Sequence, residues 1–423
     1  MKTITLNHIT KIEGHAKLDL GIKEGVVEKC ELSATEGSRY FEGLVIGRKY
    51  FEAHEITSRI CGICSTAHVT AALMAIEDAV GVKPSTQTVE LRKLIMLGER
   101  IRSHATHLYF LALPDYLGYE SALAMAKKYK NELKTALSLV KAGNKVITLI
   151  AARDLHPVSA TVGGWLKLPE QETLETLKET LKEVKEDAWK TFKLFSSLNY
   201  PEFESKCEYF SLKDNDEYAM LNGVFSSETE SFNKNDYKKF ISEYHESRST
   251  ANFVVKDGKR YMVGALPRLN NNREKLSVDA KKALKESKMK LPSKNPYLNN
   301  LAQAIELIHC LDHAIKICSE LKIKEEKIPE IKVKPGRGVA AIEVPRGTLW
   351  HEYEVDEKGI IKYANIITPT AQNLLNMQED IRLMVPGILD KPKQEIILEM
   401  EKLIRSYDPC FSCSAHFLEV NWL

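Results

Sequence analysis

The chain has 423 residues, with 60 Lys and Arg against 58 Asp and Glu and a formal charge of +2. So even a balance leaves no electrostatic footprint for nucleic acid. No apolar run reaches the roughly 18 residues that a bilayer demands, so no membrane span is expected. The first 35 residues alternate apolar and polar positions through Ile4, Leu6, Ile9, Ala16, Leu18, Leu20, Val26, Val27 and Leu32, punctuated by Lys23-Glu24-Gly25. This pattern predicts a small antiparallel sheet. Ser65 to Val80 is rich in Ala, Leu and Met and closes on Gly81 with Pro84 beyond, a helix with its stop signal. A second periodic stretch runs from Thr86 to Leu113 and ends at Pro114. Between Pro169 and Leu198, Leu174, Leu177, Leu181, Val184, Ala188 and Phe195 recur at helical steps with Glu and Lys between them, a solvent-faced packing helix. Residues 200–275 are polar and poorly periodic and yield no assignment.

Leu301 to Leu321 reads as an apolar helix. From Val344 to Ile367 the runs TLWHEYEV and IIKYANII flank Asp356 to Gly359 and predict a hairpin, with Gly359 supplying positive φ. Helices follow from Ala371 to Tyr407, broken near Pro386. The fold class expected is α+β, predominantly α: a large helical bundle core with small antiparallel sheets. One domain over 1–423 is expected, with a sheet at 1–35, a helical core at about 60–330, a hairpin at 340–368, and C-terminal helices and a cysteine motif at 371–416.

Four of the eight cysteines form two C-x-x-C pairs near opposite ends of the chain, Cys61 and Cys64 in RICGICSTAH and Cys410 and Cys413 in DPCFSCSAH. A histidine follows each pair, His68 and His416. Thiolate is a soft, strongly donating ligand, so four of them brought together by folding make a buried metal site. Structural zinc uses the same four sulfurs, and composition alone does not name the metal. Zinc ribbons place their pairs roughly 15–20 residues apart, because there the metal replaces a small core. A chain of this length has a core of its own. Disulfides fit poorly, since cysteine is sparse and no secretory or twin-arginine leader opens the sequence; the expected compartment is the cytoplasm. Cys30, Cys207, Cys310 and Cys318 read as buried small hydrophobes.

These motifs, with KIEGH, EGSRYFEG, SHATHLYFLALPDY, ARDLHPVSATVGGW, EVPRG at Glu343–Gly347 and IITPTAQN at Ile366–Asn373, resemble the catalytic large subunit of nickel–iron hydrogenases along essentially the whole chain. Length, segment order and the nearly terminal DPCFSCSAH are most similar to the cytoplasmic, bidirectional, NAD(P)-linked sulfhydrogenase branch. The resemblance implies heterolytic cleavage of H2 at a nickel held by Cys61, Cys64, Cys410 and Cys413. Cys64 and Cys413 would also bridge to an iron carrying carbonyl and cyanide. A terminal thiolate, Cys410 by position, is one candidate base. Arg346 would hang over the metals as an electrostatic and positioning group, since guanidinium is almost never deprotonated; its use as a base stays open. Pro345 would pack against the diatomic ligands and the Thr370 hydroxyl would donate to a cyanide. Glu13 in KIEGH matches a proton-exit carboxylate, a role that burial suits by raising the pKa. Glu42 and His416, with the carbonyl of Ile366, would hold a small structural Mg (or Fe) site. His68 and His107 would hydrogen-bond near cysteine sulfur or a partner's cluster, and Ile63 occupies a gas-channel gate position. Judged without the motifs, a glutamate, histidine, isoleucine or arginine in these places is equally a solvated or packing side chain.

No cysteine spacing here suits an iron–sulfur wire. Electrons would therefore leave through a small iron–sulfur subunit, then a further iron–sulfur partner and a flavin (FAD or FMN) subunit exchanging with NAD(P)H, or reduce sulfur or polysulfide. Phe417 to Leu423 follow His416, and a maturation endopeptidase is expected to remove them. Four alternatives stand beside this reading: a structural zinc–thiolate scaffold, a hydrogen sensor, a methanogen-type viologen- or deazaflavin-linked hydrogenase, and the quinone-module subunit of respiratory NADH dehydrogenase. The last shares the fold but lacks the paired cysteines.

Overall fold

The computed structural model describes residues 2–415. The N-terminal sheet is antiparallel in the order β1 (Lys2–Leu6), β2 (Ala16–Lys23), β3 (Val26–Ala34). Between β2 and β3 both turn residues, Glu24 and Gly25, have positive φ, 51° and 81°. A turn of that hand matches the twist of its flanking strands. Ala16, Leu18, Leu20 and Leu32 fill the buried face.

Helix α1 (Ser65–Val80) ends on Gly81 at φ 71°, as its stop signal predicted. Helix α2 (Thr86–Thr106) starts where the Ser85 hydroxyl accepts the Thr88 N–H at 3.0 Å. Pro114 does not end this stretch. The chain runs through a single π turn, His107–Ala112, into a helical segment Leu113–Leu117 that stops at Gly118. The π turn already interrupts the ordinary ladder, so the missing N–H of Pro114 costs nothing in the first turn of the next segment. Helix α3 (Lys130–Ala151) lies close against α2, because a methyl on Gly143 would stand 2.5 Å from the Gly98 carbonyl. The periodic stretch after Pro169 is two helices, α4 (Gln171–Glu183) and α5 (Lys185–Ser196), broken at Val184.

The segment that resisted sequence reading is a β module. Strands β4 (Ser211–Lys213), β5 (Val224–Ser226) and β6 (Ser231–Phe232) form one antiparallel sheet, and β7 (Ile241–Tyr244) pairs with β8 (Phe253–Lys256). Strands this short carry no readable period. An aromatic cluster of Phe210, Phe225, Phe232, Tyr261 and Trp350 holds them together. The helical core expected over about 60–330 is therefore interrupted here, and it resumes with α6 (Ala265–Asn272) and α7 (Asn299–Glu320). Helix α7 is buried almost all round for its first four turns and packs on α2, α4 and α5 at the centre of the bundle.

The expected hairpin is a three-stranded meander, β9 (Gly336–Val344), β10 (Gly347–Val355) and β11 (Ile361–Ile367). Its first strand has no clear signature in the sequence because Gly336 and Gly338 break the apolar pattern. Those glycines let β9 lie directly on α1: a Cβ at Gly338 would stand 2.0 Å from the Ala75 carbonyl. Helices α8 (Pro369–Met384) and α9 (Lys393–Ser406) lead to a last helical turn, Phe411–Ser414. The fold class is the one expected, α+β and mostly helical with small antiparallel sheets. Among the described residues no helix is long and apolar enough to cross a membrane.

Candidate metal centre

Cys64 is the residue immediately before α1, with Cys61 one tight turn upstream; the Cys64 N–H points at Cys61 Sγ, 3.4 Å away. Cys413 sits on the helical turn that follows α9, and Cys410 is the residue immediately before that turn. The KIEGH segment is laid against this second pair. Glu13 and Cys410 form an isolated parallel bridge, and the Phe411 N–H donates to the Glu13 carbonyl at 2.9 Å. Gly14 permits the approach: its φ is +81°, and a Cβ there would lie 2.6 Å from Ser412 N. Arg39 donates to the Ser412 carbonyl and closes the loop from the other side.

The four sulfurs are buried and lie within 4.8 Å of one another, with Cys61 to Cys410 at 3.6 Å and Cys64 to Cys413 at 3.1 Å. Four thiolates at the usual metal–sulfur distance stand about 3.8 Å apart around one tetrahedral ion, so the set fits a metal with little adjustment. Hydrogen bonds from Cys410, Cys413 and Cys64 pull the Cys61 thiol well below its ordinary range, against the effect of burial. Burial pushes Cys410 and Cys413 well above theirs. So many sulfurs ionise together in a dry site only if cations compensate them.

A narrow cleft with room for about one water, about 10 Å³, adjoins this tetrad, lined by Cys64, Cys410 and Cys413 but not Cys61. Val344, Pro345, Leu349 and Pro369 make its apolar wall, and Arg346, His68 and Thr370 its polar points. A structural zinc site is closed on every side; beside this tetrad a narrow cleft reaches Cys64, Cys410 and Cys413. Arg346 donates from Nε to the Asp408 carbonyl at 2.8 Å, and its Nη2 stands 3.1 Å from Asp408 Oδ1. Its Nη1 is buried with no protein partner. Burial disfavours the charge, yet Asp408 and the neighbouring sulfurs outweigh it and hold the guanidinium well above its usual pKa. Arg346 is thus a fixed cation with an uncommitted donor.

Thr370, in the first turn of α8, accepts the Cys410 N–H through its hydroxyl oxygen at 2.8 Å, which leaves its own proton to donate elsewhere. Glu13 is half-buried; its Oε2 accepts from Cys410 Sγ at 2.7 Å, and the Ser412 hydroxyl donates to the same carboxylate. His68 lines the cavity with Nδ1 3.1 Å from His351 Nε2. Ile63 does not line it; its carbonyl accepts from Arg102 Nη2 at 2.5 Å. His107 also stands off the cavity. Its ring spans Gln303 Oε1 at 2.6 Å and the Arg405 carbonyl at 2.7 Å, and Gln303 in turn donates to Asp408 Oδ2 at 3.0 Å. His107 therefore reaches the site through Asp408 and not through a sulfur. Glu42 accepts the Ile366 N–H at 2.6 Å, and burial pushes its carboxyl up to about 7 in spite of that bond. His416, the other expected member of that group, lies outside the described residues.

Three residues of the site were not singled out by the sequence. Asp408 and Ser412 flank the cysteines inside DPCFSCSAH, where proximity to the metal motif was a usable signal. Glu99 was not findable: it sits inside an ordinary helical period, fully buried, and its carboxylate accepts the Thr66 and Ala67 N–H groups of the first turn of α1.

A family model described as nickel-dependent hydrogenase matches residues 39–145 and 282–416. The chain is 38% identical to the alpha subunit of sulfhydrogenase 1 from Pyrococcus furiosus, over 99% of its own length and 98% of that relative's. It is 30% identical to a subunit of the F420-non-reducing hydrogenase of Methanothermobacter marburgensis, over 99% and 96%. Among solved structures, an NAD+-reducing [NiFe]-hydrogenase in the H2-reduced state superposes with a TM-score of 0.89 at 25% identity, over 98% of this chain and 100% of that one.

Proposed function

Since the chain belongs to the nickel-dependent hydrogenase family, we propose that Cys61, Cys64, Cys410 and Cys413 hold nickel, and that Cys64 and Cys413 also hold an iron with carbonyl and cyanide ligands in the adjoining cavity. The protein is the catalytic large subunit of a nickel–iron hydrogenase, an oxidoreductase acting on H2. The observation that supports a metal pair here is the cleft beside the tetrad, which Cys64, Cys410 and Cys413 line and Cys61 does not; the choice of Cys64 and Cys413 for the iron rests on their positions in the two C-x-x-C motifs. When bound, the nickel–iron pair supplies Lewis-acid polarisation of H2 and accepts its electrons.

The protein's part is proton handling, positioning and exclusion of water. Cys410 Sγ takes the proton, and Glu13 Oε2, 2.7 Å away on a half-buried side chain, receives it. Ser412 holds that carboxylate in place. Arg346 presents Nη1 to the cavity as a preorganised positive donor, anchored by Asp408. The hydroxyl of Thr370, its oxygen already engaged by the Cys410 N–H, would have its proton to donate to a cyanide, and Pro345 would supply an apolar wall to the diatomic ligands. His68 orients from the cavity wall, His107 steadies Asp408 through Gln303, and Ile63 flanks the gas route. Glu42, the Ile366 carbonyl and His416 would hold Mg (or Fe), whose charge would relieve the raised Glu42 carboxyl.

Electrons pass to a small iron–sulfur subunit. The likeness to a sulfhydrogenase and to an NAD+-reducing enzyme supports NAD(P) or sulfur/polysulfide as acceptor, reached through a further iron–sulfur partner and an FAD or FMN subunit in the cytoplasm. The likeness to an F420-non-reducing hydrogenase supports a methanogen-type outlet as the second reading. An endopeptidase would remove residues 417–423 during maturation. Metal analysis and infrared spectra of enzyme matured with its partners should give nickel, iron and diatomic stretching bands. Zinc in the tetrad, or a C64S variant with undiminished H2 uptake, would overturn the assignment.

A further inference from the structure

Behind the Pro345–Arg346 turn lies a cluster of charged groups that the chemistry above does not use. Arg268 on α6 and Glu306 on α7 are both fully buried, and so is Glu343 at the end of β9. Arg268 has five N–H donors, and all five are taken. Its Nε and Nη2 clamp the Glu306 carboxylate, each at 2.7 Å. Its Nη1 reaches the Val344 carbonyl at 2.8 Å and Glu343 Oε2 at 3.2 Å, and its Nη2 reaches the Pro345 carbonyl at 2.9 Å.

The two carboxylates have further partners of their own. Glu306 also accepts from Tyr218 Oη at 2.7 Å, with His104 Nε2 at 2.7 Å from its other oxygen. Glu343 accepts the Leu212 N–H at 2.7 Å and the Thr348 hydroxyl at 2.6 Å. Burying such ions rarely adds stability over a packed apolar core. What this cluster does supply is orientation. Val344 and Gly347 are register partners in the β9–β10 ladder, so Pro345 and Arg346 form a two-residue turn. Its far side is blocked, since a Cβ on Gly347 would lie 2.5 Å from Val263 Cγ2. Capturing the Val344 and Pro345 carbonyls fixes the peptide planes on both sides of Pro345, and with them the direction in which the Arg346 side chain leaves the backbone.

We infer that Arg268, held by Glu306, is a positioning residue for hydrogen activation: it sets the pose of Arg346 over the metal cavity through two main-chain carbonyls. The inference rests on Arg346 acting at the metals. Lysine at 268 keeps the charge but offers three donors on a point and no planar fork, so carbonyls of the turn lose their partner. R268K should retain nickel and its melting temperature within a few degrees, shift the cyanide stretching bands in the infrared, and lower kcat by about tenfold or more, with KM for H2 little changed. E306Q keeps side-chain volume and one of the two hydrogen bonds to Arg268, and should shift the same bands in the same direction by less. If both variants carry nickel and match the parent in bands and rate, the inference fails. Loss of nickel from both, with circular dichroism unchanged, also overturns it, because the cluster would then serve metal loading and not the pose of Arg346. R346K separates the underlying reading: normal turnover there removes Arg346 from the chemistry, whereas slow R346K beside normal R268K and E306Q removes only the role of Arg268.

Discussion

Glu13 joins two kinds of evidence that differ in origin. In the sequence it is one glutamate on an N-terminal segment, marked only by the KIEGH motif; in the structure it stands 2.7 Å from Cys410 Sγ. A glutamine there still accepts that hydrogen bond but cannot take up a proton. E13Q should therefore keep its nickel while H2 oxidation and H/D exchange fall by about 100-fold or more. Normal exchange in nickel-loaded E13Q would take Glu13 off the proton route. The cysteines and Glu13 were legible because their chemistry is carried by a local string of letters. Arg268, Glu99 and the true partners of His107 were not, because each acts on a segment far away in the chain and no local spacing records such a contact. His107 shows the difference well. Its motif pointed to the metal site, yet both ring nitrogens are engaged by Gln303 and the Arg405 carbonyl.

At the scale of elements, the first cysteine pair leads directly into α1 and β9 fixes where α1 lies. The ends of α1 were readable to the residue, since Gly81 and Pro84 are local stop signals. β9 was unreadable for a physical reason: the glycines that spoil its strand pattern are the ones that let it touch a helix. A Cβ on Gly338 would stand 2.0 Å from the Ala75 carbonyl and 2.2 Å from Ala79 N, both backbone atoms of α1 that cannot rotate away. G338A must push strand and helix apart, at a cost of about 3 kcal/mol. Because Cys64 caps α1, the displacement reaches the sulfur tetrad. Thermal unfolding should show a drop of several degrees in melting temperature, and nickel content should fall with it. A G338A enzyme with parental melting and full nickel would mean that β9 does not set the place of α1. The strands between 208 and 262 went unread for the opposite reason, being too short to show any period.

For the molecule as a whole, the same burial that shields the metal site sets how stability depends on pH. Burial holds His54, His104 and His313 down at about 4 and His309 at about 3. Burial pushes the Glu42 and Glu99 carboxyls up to about 7. On unfolding, histidine returns to about 6.5 and glutamate to about 4.3. Between about pH 6.5 and pH 4.5 the unfolded chain takes protons on four histidines that the folded chain keeps neutral. Over the same range the folded chain keeps protons on two carboxyls that the unfolded chain releases, which works the other way. The histidines win by about two protons, so stability should fall as pH drops through this window, by at most about 3 kcal/mol per pH unit. A magnesium ion at Glu42 would ionise that carboxyl, remove one opposing proton and steepen the fall. Urea unfolding midpoints measured at pH 7.5, 6.5 and 5.5 check the balance: the histidine contribution is complete at the first and well eroded at the last. A midpoint that stays level or rises from pH 6.5 to 5.5 would mean that the buried carboxyls dominate and that these histidines are not held neutral in the folded protein.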